Sequence, residues 1–142
     1  MKLLPRIVAA LTLILASLST AQAARPGKPM ELFLDNPIST ASGTVPAREQ
    51  IETAMIRAGL QRQWQITRNA DGTLNAHLSV RQHTLDVTIT LHDTRYDIAY
   101  KDSTNLKYAP NPDDPDRPII HPSYNKWLKN LISDFNAQFG VL

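Results

Sequence analysis

Between Trp64 and Tyr100 apolar residues recur at every second position, and that period limits this stretch to half-buried β-strands. The run reads Trp64, Ile66; Leu74, Ala76, Leu78, Val80; Leu85, Val87, Ile89, Leu91; Tyr96, Ile98, Tyr100. In an antiparallel hairpin the position numbers of facing residues sum to a constant, so each loop sets a register. A three-residue loop Ala70-Asp71-Gly72 places Trp64 against Leu78 and Ile66 against Ala76, and Gly72 supplies the left-handed residue such loops favour. A two-residue loop Gln82-His83 places Val80 against Leu85, Leu78 against Val87 and Ala76 against Ile89. A turn at Asp93-Thr94 places Leu91 against Tyr96 and Ile89 against Ile98. All three registers gather the apolar residues on one face, and a slip of one residue would turn them to solvent. The reading is a four-stranded antiparallel meander. Its other face carries Gln65, Thr67, Asn75, His77, Ser79, Thr88 and other polar residues, and its register sets Asp86 opposite Lys101, a favourable charge pair.

Helical spacing flanks this run on both sides. Ile51, Ala54, Met55 and Ala58 form one apolar stripe, which predicts a helix over about 46–58. Pro46 falls in its first turn, Gly59 is placed as its left-handed C′ residue, and Leu60 is the hydrophobic follower. From about Pro122, Tyr124, Trp127, Leu128, Leu131, Phe135 and Phe139 define a second amphipathic helix that Gly140 ends. Met30–Leu34 suits a short edge strand stopped by Asn36-Pro37, inside a flexible lead spanning 24–44, with residues 24–29 mobile and a loop over 38–44. Residues 102–120 hold four prolines and read as a loop. Both helices must cover the apolar face of the sheet. The expected fold is therefore α+β in the order (β)-α-β-β-β-β-α, a single domain over 45–142.

Residues 1–23 have the three parts of a secretory signal: Lys2 and Arg6, an apolar run from Ile7 to Ala16, and Ala21-Gln22-Ala23 at the cleavage site. The run is about half the ~20 residues that span a bilayer, so a cleaved signal is expected rather than an anchor. Cleavage after Ala23 takes 23 of the 142 residues and leaves 119, with 13 basic against 13 acidic side chains. A neutral mature chain lacks the concentrated basic surface of a general nucleic-acid binder. The absence of cysteine excludes disulfides, thiol catalysis, thiolate metal sites and acylation of an N-terminal cysteine. The expected location is periplasmic or secreted.

No motif for chemistry emerges. His77, His83, His92 and His121 form no H-x-x-x-H spacing, whereas zinc needs three or four convergent ligands, so no metal or other cofactor is expected. Asp113, Asp114 and Asp116 lack the glycine and terminal bidentate acid of a calcium loop. Ser103, with Asp102 and His121, lacks a Gly-x-Ser-x-Gly elbow, so no catalytic residue is assigned.

Two segments concentrate aromatic and amide side chains: Tyr100-Lys101-Asp102-Ser103-Thr104-Asn105-Leu106-Lys107-Tyr108, and Tyr124-Asn125-Lys126-Trp127-Leu128-Lys129-Asn130-Leu131 after His121. Their paired patterns, Tyr-x-Asp-Ser-x-Asn-Leu-x-Tyr and Tyr-Asn-x-Trp-x-x-Asn-Leu, resemble those of a group of small uncharacterised exported proteins and lipoproteins of Gram-negative bacteria. The resemblance runs from about Val45 onward. It implies an envelope location and a shared fold but no activity, and this chain departs from the lipoproteins in lacking the acylated cysteine.

The candidate ligand- or partner-binding residues are Ser103, Asn105, Tyr108, His121, Asn125 and Asn130. Trp127, on the apolar stripe, is expected to be buried against the sheet. Asn125 or Asn130 is expected to clasp the backbone of residues 102–108. The function read from these features is a non-enzymatic binding or adaptor protein of the envelope, its partner an envelope protein or a small ligand. The alternatives are a small hydrolase-like enzyme or an apolar-ligand carrier, each with its site near the loop after the fourth strand.

Overall fold

A computed structural model describes residues 26–142; the expected signal segment lies outside the described residues. The elements are β1 (Lys28–Pro29), β2 (Phe33–Pro37), α1 (Arg48–Gln61), β3 (Trp64–Arg68), β4 (Leu74–Val80), β5 (His83–Leu91), β6 (Arg95–Thr104), β7 (Ile119–Ile120) and α2 (Ser123–Phe139). Strands β3 to β6 form the expected meander and β2 adds a fifth, in spatial order β2-β6-β5-β4-β3, while β1 and β7 make a separate two-stranded ribbon. The fold is α+β with an antiparallel sheet. Among the described residues no helix is long and apolar enough to cross a membrane.

The β3–β4 register is the expected one, Trp64 facing Leu78 and Ile66 facing Ala76, and Gly72 has φ +87°. The β4–β5 register differs from expectation by two residues. Val80 faces His83 and Leu78 faces Leu85, so the turn is Arg81-Gln82, with Arg81 in the left-handed region at φ 56°. A shift of two leaves every side chain on its own face, which is why the apolar pattern did not exclude either register. In β5–β6, Leu91 faces Tyr96 and Ile89 faces Ile98, but a bulge interrupts the ladder after Val87. Asp86 consequently faces Asp102 and not Lys101. Lys101 reaches Asn75 at 3.4 Å, and Asp86 accepts hydrogen bonds from Asn75 at 3.2 Å and His77 at 3.0 Å.

Helix α1 starts after Pro46 and runs past Gly59. Its first turn is closed by the Gln50 side chain accepting the Ala47 N–H at 3.0 Å. Gly59 is an interior helical residue: a Cβ there would lie 2.7 Å from Ile66 Cδ1 and 3.3 Å from Trp64 Cβ. Glycine is thus used for close approach of α1 to β3, and the chain turns instead through Gln63 at φ 65°. Leu60 is 64% exposed and caps nothing. Glu52, buried on α1, bonds Arg48 at 3.1 Å and Arg68 at 2.5 Å, joining the helix to the end of β3.

The core lies between the sheet and the two helices. Leu74, Leu85, Val87, Ile89 and Tyr96 on the strands meet Met55 and Ala58 on α1 and Leu128, Leu131, Phe135 and Phe139 on α2. The lead does not trail free of this core. Met30 and Phe33 are buried in it, β1 pairs with β7, and β2 pairs with β6 three residues later in sequence than Met30–Leu34 suggested.

Candidate functional site

The six candidate residues separate into three structural groups. The first is built by the bulge in β6. The extra residue turns both Lys101 and Asp102 outward and returns Ser103, opposite Leu85, to the side of Tyr100. The Ser103 and Tyr100 hydroxyls bond at 2.8 Å, and Tyr100 stacks on Tyr108 with centroids 4.4 Å apart and planes 3° from parallel. Tyr124 meets Tyr100 edge-on at 6.3 Å. A groove of about 220 Å³ beside this stack is lined by Phe33, Leu34, Ile98 and the three tyrosines, among others. Burial pushes the Tyr100 phenol up and that of Tyr124 further, so both remain protonated donors at neutral pH.

The second group ties loops together. Asn105, at φ 58°, donates from its amide to the Gln82 carbonyl at 2.7 Å and accepts His83 Nδ1–H on its own carbonyl at 2.9 Å. It thereby clamps the glycine-free β4–β5 turn. His121 Nδ1 accepts the Ser123 N–H at 3.1 Å, capping the start of α2, and its ring lies 5.7 Å from that of His83. Ser103 is thus bonded to tyrosine, and His121 to the start of α2. Among the described residues no three His, Asp or Glu side chains gather to hold a metal ion.

The third group lies along α2. Asn125 does make a clasp, but on the lead rather than on residues 102–108: its Oδ1 accepts Glu31 N–H at 2.9 Å and its Nδ2 donates to Pro29 O at 3.1 Å. Lys129 pairs with Glu31 at 2.7 Å beside it. Trp127, expected to be buried, is only partly so; the edge of the apolar stripe carries it to the rim of the sheet, 6.4 Å from His83. The Asn130 side chain makes no hydrogen bond among the described residues.

Trp127 and Asn130 instead face a cleft of about 390 Å³, closed on its other side by Gln61, Arg62, Gln63, Trp64, Leu78 and Val80. Its floor is β3–β4, its walls the α1–β3 turn and α2. Both tryptophans of the chain line it. Arg62 is neutralised by Asp134 on α2, with Nε to Oδ2 at 2.5 Å. The remaining polar lining is uncharged, and neither indole N–H nor the amides of Gln61, Gln63 and Asn130 have a partner among the described residues. The left-handed Gln63 holds the wall of this cleft in a backbone conformation that non-glycine residues adopt at some cost. A second cavity, about 440 Å³, lies at the opposite end of α1 and is lined by Ala54, Arg57, Val141 and Leu142 among others.

Sequence reasoning found Asn130 and rightly assigned Trp64 to the packed face, where it is a buried core residue, but it also assigned Trp127 to packing and passed over Gln61 and Gln63. The available signal was the run Gln61-Arg62-Gln63-Trp64, amides crowded against an aromatic between two elements. Compared with family models, curated proteins and solved structures, the chain matches none, so its site is read from its own geometry.

Proposed function

We propose that this is an exported, non-enzymatic binding protein of the cell envelope, and that the cleft holding Trp64, Trp127 and Asn130 is its binding site. The carrying observation is the cleft's chemistry. Indole, amide and aliphatic groups line it, with a single arginine already paired. Such groups recognise and orient a ligand, but none is a nucleophile or a proton-transfer group at neutral pH. Open donors and acceptors in a concave, partly apolar surface are what a ligand site requires. The Ser103–Tyr100 bond and the capping role of His121 support binding over hydrolysis near the loop after β6.

The envelope assignment rests on residues 1–23 and on the resemblance to small exported proteins. Two measurements test the proposal. Intact mass of protein from the periplasmic or culture fraction should correspond to a chain starting at Ala24; a species retaining Met1 overturns export. Immobilised wild-type protein should retain an envelope component that Asn130→Ala fails to retain at equal thermal stability. Equal retention by both proteins removes the cleft from the function.

A further inference from the structure

We infer that the ligand of the tryptophan cleft is a neutral saccharide; this rests on the cleft being a binding site. Three observations converge. First, the cleft presents the partly exposed indole of Trp127 on α2, over a floor in which Trp64, at the start of β3, is 1% exposed and packed into the core. Aromatic faces are electron-rich, and the C–H face of a pyranose ring is weakly positive and apolar, so the two stack in the way aromatic faces take other weakly positive partners. Second, the unpartnered polar groups are amides and indole N–H groups. An amide carries donors and an acceptor side by side, which matches a hydroxyl that both donates and accepts. Gln61, Gln63 and Asn130 supply three such amides around one cleft.

Third, the charge is closed. Arg62 is bound by Asp134, and no other lining residue ionises. A phosphorylated or carboxylated ligand would find no free cation, and a cationic ligand no free carboxylate. What remains is a ligand with many hydroxyls, apolar ring faces and no net charge. The volume of about 390 Å³ is at the small end for ligand sites and suits one or two sugar rings.

Because Trp127 lines the cleft and Trp64 lies in its floor, tryptophan emission responds to its occupation. The purified protein is titrated with maltotriose, cellotriose and tri-N-acetylchitotriose, and with trialanine, acetylated and amidated at its ends, as the neutral non-sugar probe. A saturable change in tryptophan emission is expected with at least one trisaccharide and not with trialanine. Asn130→Ala should weaken that binding about tenfold, the loss of one ligand hydrogen bond, with an unchanged melting temperature. Trp127→Phe, which keeps an aromatic face but removes the indole donor, should weaken it less than Trp127→Ala. A response to trialanine alone overturns the saccharide while leaving the cleft a binding site. No response to any probe, with the envelope component still captured through Asn130, also overturns the saccharide. Silence in both experiments overturns the cleft itself.

Discussion

Asn125 and Glu31 are joined across 94 positions of sequence: the Asn125 side-chain oxygen accepts the Glu31 backbone N–H at 2.9 Å. With the second bond to Pro29, one side chain at the start of α2 satisfies both a donor and an acceptor of the lead. Asn125→Ala is therefore expected to lower stability by about 1–2 kcal/mol, since a part-buried N–H and an exposed carbonyl lose their partner. Asn125→Asp keeps the acceptor for Glu31 and should cost less. Urea melts give the energies. Hydrogen exchange at Glu31 identifies the cause, because its amide should lose protection in the alanine variant and retain it in the aspartate one.

Gly59→Ala tests the close approach of α1 to β3. In an exposed helix interior this change stabilises by about 0.5–1 kcal/mol. At this site the new methyl would lie 2.7 Å from Ile66 Cδ1 and 3.0 Å from its Cγ1, so overpacking should reverse the sign and cost about 1–2 kcal/mol. Ile66→Val removes the nearest atom. The double variant is expected to be more stable than the two single effects sum to, a coupling that a double-mutant cycle reads directly.

The hydroxyl of Tyr96 is buried with no hydrogen-bond partner among the described residues, its ring set edge-on to Phe135 at 5.7 Å and to Phe139 at 6.1 Å. Burial accordingly pushes its phenol far above the ordinary range. Tyr96→Phe deletes a desolvated group and keeps the ring, so it should raise stability by about 0.5–1 kcal/mol. A loss of stability in thermal melts would mean that the hydroxyl has a partner after all.

Asp97 anchors edge strand β2. Its carboxylate accepts Asp35 N–H at 2.7 Å and His92 Nε2–H at 3.0 Å, and these bonds, the first above all, hold it below the usual carboxylate range. The stabilisation is thus present above the unfolded-state value, near 4, and is lost as pH falls through the lower folded value. Asp97→Asn should melt a few degrees below wild type at pH 7 and close to it once the wild-type carboxylate is protonated. A gap independent of pH would assign the effect to shape rather than charge.

The parts of this fold that were legible in sequence are those with enough period to leave one solution. Thirteen alternating positions from Trp64 to Tyr100 admit few sheets, and Gly72 pinned one hairpin outright. The β4–β5 turn had no such pin. Arg81 adopts a left-handed conformation that its side chain does not announce, because Asn105, distant in sequence, holds the turn from outside. Strands of two residues, β1 and β7, are too short to show a period at all. At the site, Asn125 was legible as a clasp because an amide beside an apolar stripe needs partners, but its partner was not, since nothing local distinguishes one distant backbone from another. Trp127 was misjudged for a geometric reason: a stripe has edges, and at its edge a large ring meets solvent.

The ribbon of β1 and β7 has a consequence for the order in which the chain completes itself. Lys28 and Pro29 are among the first described residues to be synthesised, yet they pair with Ile120 and Ile119, and the neighbouring Glu31 waits for Asn125 and Lys129. Closing such long loops comes late and is slow. Until residues 119–129 have been made, Lys28, Pro29 and Glu31 lack these partners. The export proposed above would benefit from that arrangement, because the two halves of the ribbon lie far apart in the sequence.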